Sequence, residues 1–166
     1  MTSIEIAKNM ELDAIAFYAE AAKKTKHPVG KKMFLSIMED EKRHYEMLDT
    51  IFRGLDISSE NVSPMKKVKS IFEEHRADLS ERVGATTDEM EALKVAMGME
   101  KEGIEFYKKA ASDAPTEKER KLFERLIREE EQHYAVFANT YFFMSDTGSW
   151  FMWEEHSIVD GGTPWA

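Results

Sequence analysis

One short pattern occurs twice in the chain, as Glu41-Lys42-Arg43-His44-Tyr45 and as Glu130-Glu131-Gln132-His133-Tyr134. Each copy sets a carboxylate and an imidazole three residues apart, which on a helix is about 60° around the axis and about 4.5 Å along it, so both side chains point the same way. Thirty residues before each copy stands a second matched piece, Met10-Glu11 with Phe17-Tyr18 and Ala21-Ala22, then Met99-Glu100 with Phe106-Tyr107 and Ala110-Ala111. Glu11 and Glu100, Glu41 and Glu130, and His44 and His133 are all separated by 89 positions. A duplicated helical hairpin is the simplest chain that carries such a pattern, and its acidic and His positions are the ones kept in register.

The helices can be traced from their start and stop signals. Thr2 with Glu5 reads as a capping box, and Ile4, Ala7, Met10/Glu11, Ala14, Phe17/Tyr18 and Ala21 mark one stripe to about Lys26. Pro28 disfavours helical geometry at His27, so the spacing predicts a turn and a restart around Lys31. The second helix carries Phe34, Ile37/Met38, Glu41, His44, Leu48 and Ile51 inward until Gly54. Residues 55–87 have no counterpart in the other half and read as a long crossover. Within it Ser63-Pro64 opens a shorter helix, with Met65, Val68, Ile71/Phe72 and Leu79, that is expected to end at Gly84. Thr86 with Glu89 opens the third long helix, whose stripe is Met90, Leu93, Met97, Glu100, Ile104, Tyr107 and Ala111. After Pro115, Thr116 with Glu119 opens the fourth, with Leu122/Phe123, Leu126/Ile127, Glu130, His133, Phe137 and Tyr141 inside. The fold class is therefore all-α: a ferritin-like up-down four-helix bundle with a long crossover between the second and third long helices. The 166 residues are read as a single domain, with the bundle over 2–145 and an aromatic tail over 146–166.

The tail, with Trp150, Phe151, Met152, Trp153 and Trp165, has aromatic mass but no helical period. It is expected to cover the bundle end or a partner subunit, and its extra apolar surface points to a homodimer. His156 lies in this tail, away from the repeated pattern, and is not expected to be a ligand.

Charge and composition narrow the function. A net charge of −9, with Lys and Arg dispersed among Glu and Asp, argues against nucleic acid as a partner. No cysteine is present, which removes disulfides and thiolate metal sites. No apolar run approaches the length of a membrane span, and the N-terminus lacks the regions of a signal peptide; a soluble cytoplasmic protein is expected. Charged outer residues such as Lys23, Lys24, Lys42, Arg43, Lys101, Lys108, Lys109, Arg128 and Glu129 read as solvated, which argues against a closed cage of many subunits.

On each long stripe a carboxylate occupies a place where periodicity calls for an apolar residue. Four such carboxylates in one core would repel one another and each would cost several kcal/mol unpaired. Two metal ions resolve this, with Glu11 and Glu100 supplying one carboxylate each and Glu41/His44 and Glu130/His133 an E-x-x-H pair each. Carboxylate and imidazole together suit iron or manganese, or a mixed pair. Tyr18 and Tyr107, seven residues beyond Glu11 and Glu100 on the same face, read either as core aromatics or as phenols bonded to a ligand carboxylate.

The segments MELDAIAFYAEAA with EDEKRHY, and MEKEGIEFYKKAA with EEEQHY, resemble the ferritin-like domain of the rubrerythrin family over residues 2–145, and the tail resembles the C-terminal stretch of related single-domain proteins. The resemblance selects the same six ligands, Glu11, Glu41, His44, Glu100, Glu130 and His133. It implies a non-haem di-iron site that reacts with hydrogen peroxide or dioxygen. Rubrerythrin proper adds a cysteine-ligated rubredoxin domain, so a chain without cysteine implies an external redox donor protein. It also adds a Glu three residues after the ligand matched by Glu100, where this chain has Gly103. Alternatives to a peroxide-reducing or dioxygen-reducing enzyme are a ferroxidase or iron-handling protein and a bundle with a purely structural metal.

Overall fold

The structure, a computed structural model, describes residues 1–57, 63–74 and 87–145. Among them are five helices and no strand: α1 (Ser3–Lys24), α2 (Pro28–Phe52), α3 (Pro64–Glu74), α4 (Thr87–Asp113) and α5 (Glu117–Ser145). None is long and apolar enough to cross a membrane. The tail over 146–166, the cap residue Thr86 and the stretch with Leu79 and Gly84 lie outside the described residues.

The helix ends follow local chemistry. At α1 the Glu5 amide donates to Thr2 Oγ1 at 3.3 Å while the Thr2 amide donates to Glu5 Oε2 at 2.8 Å, completing the capping box. The turn after α1 is tighter than the sequence suggests: α2 begins at Pro28, not near Lys31. Proline occupies the first helical position, where its missing N–H would have had no partner anyway, and His27 Nδ1 accepts from the Val29 amide at 3.2 Å as the cap. Gly54, with φ of 76°, ends α2: its amide reaches the Ile51 carbonyl at 2.9 Å and that of Leu55 reaches Thr50 at 3.0 Å. Thr116 caps α5 through the Glu119 amide at 3.2 Å. Glu89 accepts from the Lys26 amide at 2.8 Å and ties the end of α1 to the start of α4; the capping box expected for it rests on Thr86, outside the described residues.

Directions follow from the contacts. Tyr18, late in its helix, meets Glu100, while Glu11 meets Tyr107, so α1 and α4 run antiparallel. His44 meets Glu129 and His133 meets Asp40, so α2 and α5 do the same. Short turns make α1/α2 and α4/α5 antiparallel hairpins, and the two packings between hairpins then leave α2 and α4 pointing the same way. The chain must therefore return along the bundle between them, which is why the crossover is long, and α3 packs on α2 and α5 as it does so.

The apolar core is split. One cluster gathers Tyr18, Phe34, Ile37, Leu93 and Phe137; the other gathers Ile4, Leu48, Tyr107, Phe123 and Leu126. Residue numbers on every long helix place the two clusters at opposite ends of the bundle, with Glu11, Glu41/His44, Glu100 and Glu130/His133 in the band between. Apolar packing at both ends fixes four helices around a polar middle.

Candidate metal centre

Each of Glu11, Glu41, His44, Glu100, Glu130 and His133 is at most 4% exposed. They form two overlapping sets, Glu11, Glu41, His44 and Glu130, and Glu41, Glu100, Glu130 and His133, with one ligand atom per residue and all atoms of a set within 4.8 Å of one another. Glu41 and Glu130 belong to both sets. His44 Nδ1 lies 2.9 Å from both Glu41 Oε2 and Glu130 Oε1; His133 Nδ1 lies 3.1 Å from Glu41 Oε1 and 3.4 Å from Glu130 Oε2. The two rings stack at 5.5 Å between centroids. Glu41 Oε2, Glu100 Oε2 and both Nδ1 atoms are buried without a hydrogen-bond partner. Orphaned polar atoms at this depth cost free energy singly, and four aimed at one place fit a pair of cations. Two divalent ions would neutralise the four carboxylates, and an oxygen and imidazole donor set is one that iron and manganese accept.

The repeat also sets what holds the donors. The Tyr18 hydroxyl donates to Glu100 Oε1 and the Tyr107 hydroxyl to Glu11 Oε1, so each phenol serves the carboxylate of the other hairpin. Both tyrosines are buried. His44 Nε2 pairs with Glu129 Oε2 at 2.7 Å and His133 Nε2 with Asp40 Oδ2 at 3.1 Å. A carboxylate at Nε2 keeps the proton on that nitrogen and leaves Nδ1 directed inward as a donor atom. These two carboxylates meet cations in turn: Arg43 contacts Glu129 and, at 3.4 Å, Asp40; Arg125 approaches Glu129 at 3.5 Å; Lys67 contacts Asp40.

Sequence reasoning missed this layer. Glu129 and Arg43 read as solvated outer charges, yet Glu129 is 4% exposed and Arg43 is engaged with it. Asp40 is 1% exposed. The signal was present, since Asp40 and Glu129 are themselves 89 positions apart, one before each E-x-x-H pair. Gln132 is likewise more than an outer residue: its Oε1 accepts from Ser63 Oγ at 3.3 Å and from the Met65 amide at 3.4 Å, fastening the start of α3.

Without metal the cluster shares protons. Burial and then the Glu41 charge push Glu11 well above the usual carboxylate range, and burial with Glu130 and Glu41 does the same to Glu100. For the imidazoles burial opposes charge, but the surrounding carboxylates win and hold His44 and His133 well above their ordinary value. Burial also opposes ionisation of Glu41, Glu130, Asp40 and Glu129, and here hydrogen bonds and positive neighbours prevail: Glu41 is held far down, the other three at about 2. Burial, followed by the nearby glutamates, raises both phenols, which therefore remain O–H donors.

A cavity of about 160 Å³ reaches the carboxylate side between α1 and α4. Its wall includes Met10, Asp13 and Ala14 and their counterparts Met99, Glu102 and Gly103, so the mouth repeats the duplication. A Cβ at Gly103 would meet nothing within 4 Å, so the position adds space next to Glu100. No imidazole lines this cavity.

The Rubrerythrin family model matches residues 3–141 of the chain. No curated protein and no solved structure matches it.

Proposed function

The chain belongs to the rubrerythrin family, and from that premise we propose that Glu11, Glu41, His44, Glu100, Glu130 and His133 hold two iron ions that reduce hydrogen peroxide, with electrons from a separate donor protein. The observation that carries this reading is the doubled cluster in which Glu41 and Glu130 are shared, since a single structural ion needs neither the second set nor a shared pair. When bound, two adjacent ions can supply two electrons to one substrate, one from each, which is the number that peroxide takes up in becoming two waters.

The residues define the rest. Glu41 and Glu130, which belong to both sets, would contribute to holding each ion, with Glu11 and His44 completing one set and Glu100 and His133 the other. Tyr107 and Tyr18 orient Glu11 and Glu100, the carboxylates nearest the cavity mouth, and limit how far each can swing. Glu129 and Asp40 fix the imidazole tautomers. The cavity, at about 160 Å³, has room for a molecule the size of peroxide beside the carboxylates. A site open to small molecules on one side is what a reaction with peroxide or dioxygen requires.

Metal analysis together with stopped-flow absorbance tests the reading. We expect two metals per chain and reoxidation of the anaerobically reduced protein faster by hydrogen peroxide than by dioxygen at matched concentrations. Faster reaction with dioxygen would make it an oxidase, and uptake of many Fe(II) per chain into a high-mass particle would make it an iron-handling protein. The homodimer expected from the tail belongs to the same proposal, and sedimentation of the purified protein as a monomer would remove it.

A further inference from the structure

The two sides of the centre differ. The carboxylates face the cavity between α1 and α4, whereas both Nε2 atoms face away from it, toward Glu129 and Asp40. Beyond those carboxylates lies a second, open cleft of about 570 Å³ between α3 and α5, walled by Lys66, Lys67, Arg125 and Arg128 with Glu129 at its floor. Lys66, Lys67 and Arg128 are exposed. In a chain of net charge −9, folding has collected on this face the basic residues that look scattered in sequence.

We propose that this cleft is the docking surface for an acidic one-electron carrier protein that delivers reducing equivalents to the imidazole side of the centre. The inference rests on the peroxidase reading, which needs a donor, and adds where that donor binds and what chemistry recognises it.

Three features carry it. The first is charge: electron-transfer encounters bury little surface and rely on complementary potential, which raises association rates by 10–10³-fold, so a basic cleft suits an acidic carrier better than an apolar patch would. The second is connection. The His44 ring reaches the cleft through one hydrogen bond to Glu129 at its floor, and His133, Asp40 and Lys67 form a hydrogen-bonded chain from the centre to its wall. The third is separation, because a carrier seated on α3 and α5 leaves the cavity between α1 and α4 open to oxidant. The balance is complete: two reduced carriers each lose one electron, and one hydrogen peroxide with two protons becomes two waters.

The test uses a plant-type [2Fe–2S] ferredoxin as the acidic probe, with the metal-loaded protein and a K66E/R128E variant. Affinity for the oxidised probe is read by calorimetry, without turnover, and the rate of reduction of the oxidised protein by the reduced probe is read by stopped flow. Both should fall at least tenfold between about 0.02 and 0.3 M salt, where screening shortens from tens of ångströms to a few. At low salt K66E/R128E should lose at least tenfold in both, with metal content and reoxidation by peroxide intact. A K23E/K109E control, on exposed residues of α1 and α4, should match the wild type. Equal behaviour of K66E/R128E and wild type, equal loss in the control, or a short single-stranded oligonucleotide binding the wild type more tightly than the ferredoxin would each overturn the docking assignment. A wild type that holds two metals but is not reoxidised by peroxide would instead refute the peroxidase reading, and this inference with it.

Discussion

Removing the metals should convert the centre from a stabilising element into a pH-dependent liability, with a predictable slope. In the metal-free protein His44, His133, Glu11 and Glu100 bind protons more tightly than they do unfolded. For the imidazoles this stabilisation is fully present below about pH 6.5 and is lost as pH rises toward their folded values; for the two carboxyls the loss begins above about pH 4.5. Each group that is protonated only in the folded state contributes a slope of about 1.4 kcal/mol per pH unit. Two imidazoles that stay protonated in the fold up to pH 8, and are already half deprotonated at pH 6.5 when unfolded, remove about 3 kcal/mol between those pH values, before any share from Glu11 and Glu100. For a chain of this length that is a fall in Tm of about 6–12 °C. Asp40, Glu129 and Glu130, held at about 2, act in the opposite window: their contribution is present above about pH 4.5 and is lost as pH falls toward 2. Scanning calorimetry of chelated and metal-loaded protein in the same buffers isolates the effect, because the rest of the chain is common to both. The gap in Tm between loaded and chelated forms should widen from pH 6.5 to 8. A gap that stays constant or narrows would refute the assignment of these four groups as the proton reservoir of the empty centre.

Loading should release those protons. Two divalent ions replace the charge of four bound protons, so titrating the chelated protein with metal at pH 6 in weak buffer should liberate close to four protons per pair of ions, and fewer than two would contradict the burial-driven neutrality of the cluster. Glu41→Ala or His133→Ala should cut metal content to at most one ion per chain, whereas Lys42→Ala, on an exposed residue, should leave it at two. Gln132→Ala should keep both ions but loosen α3, lowering stability by about 1 kcal/mol and quickening hydrogen exchange of the α3 amides; loss of metal would show that it acts on the centre directly. Tyr18→Phe leaves Glu100 without its phenol and should cost about 1–3 kcal/mol in the metal-free protein by denaturant unfolding, and an unchanged midpoint would mean that the hydroxyl does not hold that carboxylate.

The six inward positions could be read from sequence because the duplication marks them and because one helical face is a local, periodic property. Less legible is the residue one before each E-x-x-H pair: the 89-residue spacing marks Asp40 and Glu129 as partners in the repeat but not what they face. A step of one residue turns about 100° on a helix, which on an isolated wheel sends Asp40 and Glu129 outward. In the bundle that direction meets the facing helix, where the imidazole of the opposite repeat is waiting, and only the packing of α2 against α5 reveals it. The same contact shows how the symmetry breaks. Glu129 is held by Arg43, and the position that would hold Asp40 in the same way, 89 residues after Arg43, is Gln132, which has no charge to offer. Gln132 instead grips Ser63 and Met65 at the start of α3, within the crossover, and two residues on Lys67 reaches Asp40. The crossover, which the duplication does not contain, thus supplies the cation that the second repeat lacks, and it brings that cation to the face where Arg125 and Arg128 already stand.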